Sequence, residues 1–497
     1  MITQPSPGGA DSVGDAPSGA TGHVADQADQ TPDAWRAFAL VVLLGGLAAG
    51  WRATSGRRAS VPIALAAAVV AGAVIPVARA SRRPPIARGA GPLDPAAQPP
   101  TFSIVVAGRD EANVLPHLVA DLAAQDWREP DGTPRFELVV VDDRSSDGTA
   151  DAVGAAAAQA GIGAVTRVVR RVGQHLPDGK GAALTAAQPD ACHGEYVVVL
   201  DADARVAPGF LRILAGYVAA GAAALTVRRR ILDAGHSVLT RVQADEQTLD
   251  GELQRGRWAM GGCSEFRGNG IVIRRELLAG LGGWRADALT EDLDLSSRLA
   301  AERGITVAWA IDAEVWEEPV HSWSGLWRQR LRWAEGAVRR LCEHGPAVLR
   351  SERLAPVARA DFALYTGQLL APPLILGAVA GAVRRRPETA VILVGTYLAI
   401  GGGLAYDALR WETDASGCPL PPGDRLMRSI RSALFNSIWL GAIPGALCRL
   451  AVRRGPVQYD KMPHRGSISA AQPPGPGAKV EASGHDADRP TARPTAG

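Results

Sequence analysis

FELVVVDDRSSDGTADAV, residues 136–153, reads in three parts. Phe136 to Asp143 is a short run rich in β-branched residues, the pattern of a strand buried on both faces. Ser145-Ser146-Asp147-Gly148-Thr149 follows, and its hydroxyls, carboxylate and glycine suit a tight turn and a helix N-cap. The Ala-rich stretch 149–160 then reads as a helix. Similar strand-like runs stand at FSIVVAG (102–108), AVTRVVRR (164–171) and EYVVVLDAD (195–203), with a second helical stretch at 111–124. Strand–helix alternation argues for an α/β fold, a parallel sheet covered by helices.

Ligands of such sheets sit outside the carboxyl ends of the strands. Asp142-Asp143 and Asp201-Ala202-Asp203 each follow directly on a hydrophobic run, so both acidic pairs are expected on that edge. Two carboxylates spaced like Asp201 and Asp203 can share a hard cation such as Mg²⁺, which keeps positions open for phosphates. Alone, the triplet also reads as a solvated turn. Asp142 and Asp143 suit hydrogen bonds from a nucleobase or ribose.

Thr290-Glu291-Asp292 opens an amphipathic helix expected to end at Gly304. Acids in a first helical turn often only partner the dipole. Here Asp292, with Glu291 beside it, is also placed to act as a general base. In Gln329-Arg330-Leu331-Arg332-Trp333, residues 329, 332 and 333 share one helical face. The arginines can grip a pyrophosphate, and Trp333 offers a flat face to a sugar or base. The same stretch, with Trp323, Trp327, Arg328, Arg339 and Arg340, reads equally as a basic amphipathic helix on anionic lipid. Gly179-Lys180-Gly181 places Lys180 near phosphates but lacks P-loop spacing. Gly268-Asn269, inside FRGNG (266–270), forms a turn that lets backbone approach a sugar. His321 and the other histidines show no metal spacing and read as structural. Taken together, these motifs describe a pocket that holds a nucleotide diphosphate through a metal and supplies one base.

Net charge is +2, which gives no polyelectrolyte signal for nucleic acid. The five cysteines are scattered, so neither a zinc site nor a disulfide framework is expected. Residues 1–35 carry five Asp and no Lys or Arg, unlike a secretory signal, and read as a disordered tail. Apolar segments stand at 37–51 and 60–78, then at 362–383, 389–406 and 432–451. The expected order is a transmembrane hairpin (36–80), a linker (81–100), a catalytic block (101–345), a C-terminal membrane region (346–455) and a polar tail (456–497). Three full spans after the block would put the tail on the opposite side from it. Arg453, Arg454, Lys461, Arg465 and the loop Arg384-Arg385-Arg386 argue that the tail is inside. A re-entrant 362–383, broken at Pro372-Pro373, reconciles the two, although Arg52, Arg57 and Arg58 still fall on the far side.

These residues resemble the inverting family 2 glycosyltransferases over about 101–345. The resemblance implies a GT-A fold, a Rossmann-like mixed sheet, flanked here by transmembrane helices. It implies that Ala107, Arg109, Glu111, Asp142 and Asp143 line the nucleotide pocket, that Asp201 and Asp203 hold Mg²⁺ or Mn²⁺, and that Asp292 is the base. The run from Gln329 to Trp333 marks the membrane-embedded branch, which includes cellulose, hyaluronan and poly-N-acetylglucosamine synthases. TEDLDLSSRL (290–299), EEPV (317–320), LWRQRLRWAEG (326–336) and DKMPHRG (460–466) look more like the β-monoglucosyldiacylglycerol synthases. Two positions depart: Asp110 stands where that family usually has Asn, and YDKMPHRG (459–466) replaces a WxKTxHxG-like pattern. The implied partners are a UDP-sugar, a lipid or saccharide acceptor and membrane lipid, with no nucleic acid. The implied place is the cell membrane, with the catalytic block in the cytoplasm where nucleotide sugars are. The expected function is transfer of one hexose, glucose, from a UDP-sugar to a lipid acceptor such as diacylglycerol, with inversion to a β-glycoside; the alternative is a processive polysaccharide synthase, and the intact acids at 201, 203 and 292 count against a non-catalytic scaffold.

Overall fold

Alternate residues of the central strands go to opposite faces of one sheet, and each face has its own core. In β1 (Phe102–Gly108), Phe102, Ile104 and Val106 pack into one cluster and Val105 into another. The same division separates Leu138 and Val140 from Val139 and Val141 in β2 (Phe136–Asp143). Burial on both faces explains why these strands read as near-continuous apolar runs. The structure is a computed structural model and describes residues 31–55, 78, 80, 98–173, 176–414 and 417–452.

The remaining strands are β3 (Thr166–Arg171), β4 (Tyr196–Asp201), β5 (Arg205–Val206), β6 (Ala224–Ile231), β7 (Ile271–Arg274) and β8 (Ala308–Glu317). They form one eight-stranded sheet in the order β3-β2-β1-β4-β7-β6-β8-β5. Neighbours from β3 to β4 are parallel, whereas β7 runs antiparallel to both β4 and β6. The sheet is therefore mixed, as the family resemblance implied, rather than the parallel sheet that alternation alone suggested. Strand order reverses between β1 and β4, the switch point where open α/β sheets bind ligands. Gly108 pairs with Asp142, and Ala107 with Asp201, so the two acidic strand ends lie side by side at that point.

The expected helix at 111–124 forms over Leu115–Ala123, and the one at 149–160 over Thr149–Gln159. A helix of 28 residues, Trp323–Arg350, runs straight through the expected block boundary at 345.

Among the described residues, three helices are long and apolar enough to cross a membrane: Asp33–Ser55, Pro387–Trp411 and Pro422–Val452. A fourth candidate is the pair Pro356–Gly367 and Ala371–Arg385, bent by 43°. The bend falls just before Pro372-Pro373, where the sequence placed its break. The first of these helices is 23 residues, longer than its apolar stretch, because Asp33 to Arg36 and Arg52 extend it at both ends. The third is interrupted at Ser437–Ile438. Its first half, Pro422–Asn436, exposes Leu426, Met427, Ile430 and Leu434 while Arg428 and Arg431 pair with Asp245 of the core. All but Ala78 of the apolar segment 60–78, all but residues 98–100 of the 81–100 linker, the DKMPHRG run, most of the N-terminal tail and all of the tail 456–497 lie outside the described residues.

Candidate active site

The β1 and β2 ends are stitched together by turn chemistry. Ser145 Oγ accepts from the Asp110 amide at 2.9 Å, Thr149 Oγ1 from Glu111 at 2.8 Å, and Asp147 Oδ2 from Ala112 at 2.9 Å. Asp110 in turn accepts from the Ser146 amide at 2.7 Å. Its backbone has φ 53°, a left-handed conformation that Asn and Asp tolerate better than other residues with a Cβ. The departure from Asn at this position therefore keeps both the backbone and an acceptor. The Ser145–Thr149 segment is the turn and cap that the sequence described.

The two aspartates at the β2 end divide their work. Asp142 Oδ1 accepts from the Ser145 amide at 3.1 Å and closes the turn, away from the cavity. Asp143 lines the cavity and is held by Arg171 at 2.7 Å and Arg144 at 2.9 Å. A strand sends successive side chains to opposite faces, and of this pair only Asp143 lines the cavity.

Asp201 and Asp203 both line the same cavity. The Asp201 carboxylate pairs with Lys180, whose ammonium also reaches the Gly268 carbonyl at 2.9 Å and Glu291 at 3.4 Å. Burial alone would lower the Lys180 pKa; the charges of Asp201 and Glu291 outweigh it and hold the amine well above its usual range. Asp203 is buried and accepts from the Glu318 amide at 2.9 Å. The Asn269 side chain fixes this corner, accepting from the Asp201 amide at 3.1 Å and donating to Glu317 at 3.3 Å. The donor set is all carboxylate oxygen, which fits a hard divalent cation and not a soft one.

Thr290 stands at the N-cap position of the helix Glu291–Arg298, without a side-chain capping bond, and Glu291 and Asp292 occupy the first turn. The chain continues as a π-helical turn and ends at Gly304, at φ 66°, the expected left-handed stop. Asp292 faces the cavity against Gly268. A Cβ on Gly268 would stand 3.7 Å from the Asp292 carboxylate, and its φ of 78° suits glycine. Burial, and secondarily the charge of Glu291, push the Asp292 carboxyl up to about 6. A base that must be ionised then loses activity as pH falls through about 6, roughly tenfold per unit in kcat/KM below that value. Glu291→Gln removes one of the two causes and should move this acid limb to lower pH, measurable as a pH–rate profile.

Along the helix Trp323–Arg350, Gln329, Arg332 and Trp333 all line the cavity, as their spacing predicts. Arg330 does not: it is fully buried, ion-paired with Glu246, and lies 4.3 Å from the Trp333 ring centroid. Arg229 approaches the same ring at 5.7 Å and is itself paired with Glu317. Trp333 is thus fixed by two arginines rather than free to stack.

Gly336 brings this helix onto the Thr290 cap; a Cβ there would stand 2.2 Å from Thr290 Cγ2. Gly→Ala inside a helix ordinarily gains up to about 1 kcal/mol. At this contact overpacking costs about 1–3 kcal/mol. Gly336→Ala should therefore lower Tm, and lower kcat by displacing the turn that carries Asp292. A raised Tm would contradict the contact.

Ala107, Arg109, Glu111, Gly268 and Asn269 also line the cavity, so of the residues singled out from sequence only Asp142 and Arg330 stand apart. Residues that sequence reasoning missed include Arg229, Asp250, Arg267, Glu317 and Glu318, together with His321, which was read as structural and stands in the cavity wall. For Glu317 and Glu318 a signal existed. β8 is parallel to β6, and β6, reached from β4 through two antiparallel pairings, runs the same way as β4. The EEPV acids therefore end a strand on the same edge. His344 stands with Asp294 and Glu343, but Arg285 and Arg298 already saturate Asp294.

Residues 99–336 match the model of a family described as glycosyltransferase like family 2. A β-monoglucosyldiacylglycerol synthase of Trichormus variabilis is 30% identical over 376 residues, covering 74% of this chain and 77% of that one. A poly-β-1,6-N-acetyl-D-glucosamine synthase of Staphylococcus epidermidis is 27% identical over 226 residues, 45% of this chain and 52% of its own. Among solved structures, a mannosyltransferase from Pyrobaculum calidifontis in complex with GDP-Man and Mn²⁺ superposes with a TM-score of 0.51. It is 23% identical and covers 75% of this chain and 98% of its own. That likeness places the sheet in the GT-A fold. The chain belongs to the family 2 glycosyltransferases, enzymes that transfer a glycosyl group.

Proposed function

We propose that the protein transfers glucose from UDP-glucose to the free hydroxyl of diacylglycerol, with inversion, giving a β-glucoside. One observation carries the lipid acceptor. The cavity lined by Asp201, Asp203 and Asp292 has a volume of about 1590 Å³ and is also lined by apolar residues of all the candidate spans. Ala49 and Ala53, Leu374 and Ile375, Leu393 and Leu404, and Leu440 and Ile443 are among them. The volume exceeds the roughly 300–1,000 Å³ of an ordinary small-molecule pocket, leaving room for a nucleotide sugar and a lipid together. The β-monoglucosyldiacylglycerol synthases among its relatives support the same substrates.

In this reading Asp292 takes the proton of the acceptor hydroxyl as its oxygen attacks the anomeric carbon, and the bond from that carbon to the UDP oxygen breaks. Asp201 and Asp203 would hold Mg²⁺ or Mn²⁺, which supplies countercharge for the departing diphosphate. Lys180 and Arg332 add positive charge on the same side, and Asp143, Arg109 and Glu111 border the nucleotide. Gln329 and Trp333 close the pocket over the donor. Residues 101–345 work from the cytoplasmic face, where the donor is made, and the flanking helices hold them at the bilayer.

Membranes containing the protein, given labelled UDP-glucose, a divalent cation and diacylglycerol, should place label in a chloroform-soluble product carrying one hexose. Label in an insoluble polymer instead would contradict the reading and favour a processive synthase.

A further inference from the structure

Resting on that lipid-acceptor reading, we propose that the acceptor reaches Asp292 sideways from within the bilayer. Its entrance is an apolar mouth bordered by Ile392, Thr396 and Ile400 of the helix Pro387–Ala408 and Leu374 of the helix Ala371–Arg385. A mouth is marked by residues that both line the cavity and face outward. Ile392 is 63% exposed, Ile400 37% and Leu374 36%, and all three line the cavity. Thr396, exposed and also lining, stands between Ile392 and Ile400. The spacing 392, 396, 400 is one stripe along a helix. Val391 and Val394, on the same helix and equally outward, do not line the cavity. The cavity thus meets the outer surface of this span along a single face.

The chemistry of the two ends gives this mouth its occupant. The inner end is walled by Asp201, Asp203, Asp292, Lys180, Arg229 and Arg267. An acyl chain passing there would strip water from charges without replacing its hydrogen bonds. At the mouth the same chain leaves one apolar medium for another, and only the hydroxyl-bearing head has to travel inward. A polar step stands on that route: Tyr397 lines the cavity and its hydroxyl donates to the Asn436 carbonyl at 3.3 Å, beside the break at Ser437–Ile438. A glycerolipid with one free hydroxyl matches this order of surfaces; a hydrated sugar chain does not.

The full chain in lipid nanodiscs allows the test. Thr396→Trp and Ile400→Trp fill the mouth without touching the charged end. Both should lose transfer to dioleoylglycerol dissolved in the bilayer by about tenfold or more, as a blocked entrance slows association. Transfer to dihexanoylglycerol supplied from water, and UDP binding, should stay within about threefold. In the unchanged protein, a diazirine-bearing diacylglycerol should crosslink to the 392–400 stripe. Trp variants that use both acceptors in the wild-type ratio, or a crosslink mapping only to the outer face of Trp323–Arg350, overturn the route alone. No transfer to either lipid by the unchanged protein overturns the acceptor reading and the route with it.

Discussion

Asp292→Asn should abolish transfer, lowering kcat by about 10²–10⁴, the range for loss of a positioned general base. Asn is close in size to Asp and keeps its place in the first helical turn, but it takes no proton at neutral pH. Glu291 does not stand in, because its carboxylate is committed to Lys180 at 3.4 Å. UDP affinity should change little, since Asp143, Arg109 and Lys180 are untouched. The comparison is therefore between transfer rate and UDP binding in the same preparation. Activity within about threefold of wild type would remove Asp292 from the base role. A parallel loss of UDP binding would show that the substitution disturbs the pocket instead.

The second large effect concerns a residue with no part in the chemistry. Glu246, on the long helix Val238–Ala259, accepts from Arg330 Nε at 3.1 and 3.0 Å through its two oxygens. It also accepts from Trp439 Nε1 of the helix Trp439–Val452 at 3.1 Å. Arg330 and Glu246 are both buried. Removing one partner of such a pair leaves an uncompensated charge and costs about 3–5 kcal/mol. Glu246→Gln should therefore lower Tm by roughly 10 °C. It should also lower kcat, because Arg330 packs on Trp333 and Arg332 follows on the same helix. Replacing both partners by apolar residues of similar size, Glu246→Leu with Arg330→Met, should recover much of the stability. It should not recover kcat, because the stack on Trp333 remains broken. A Tm unchanged in Glu246→Gln would show that the pair is not needed to seat this helix.

These two cases mark what the sequence could and could not disclose. That Asp292, Asp201 and Asp203 would line the cavity was legible because local pattern and local position coincide: a strand or helix end puts the acid on the edge where the cavity lies. Between Asp142 and Asp143, or Arg330 and Arg332, pattern was insufficient, since facing depends on how the element packs against the rest. Glu246 was invisible because its partners lie 84 and 193 residues away. The same holds for Glu412, which joins Arg228 and Arg230 of β6 to the loop after a candidate span. Such long-range ion pairs leave no periodic trace in the chain. β7 was missed for a different reason: at four residues it is too short to show a strand pattern, and its antiparallel course makes the sheet mixed. The candidate spans were legible as apolar length but not as walls of one cavity, because the faces that line it are as apolar as those that point outward.

The proposed transfer is one displacement at the anomeric carbon, with Asp292 as the base. Its most direct test is the anomeric configuration of the isolated glycolipid made from α-linked UDP-glucose, read from the coupling of the anomeric proton in its NMR spectrum. A β-glucoside is the outcome of a single in-line attack by a hydroxyl that Asp292 deprotonates. An α-glucoside would mean retention, and with it a mechanism in which Asp292 is not the base described here.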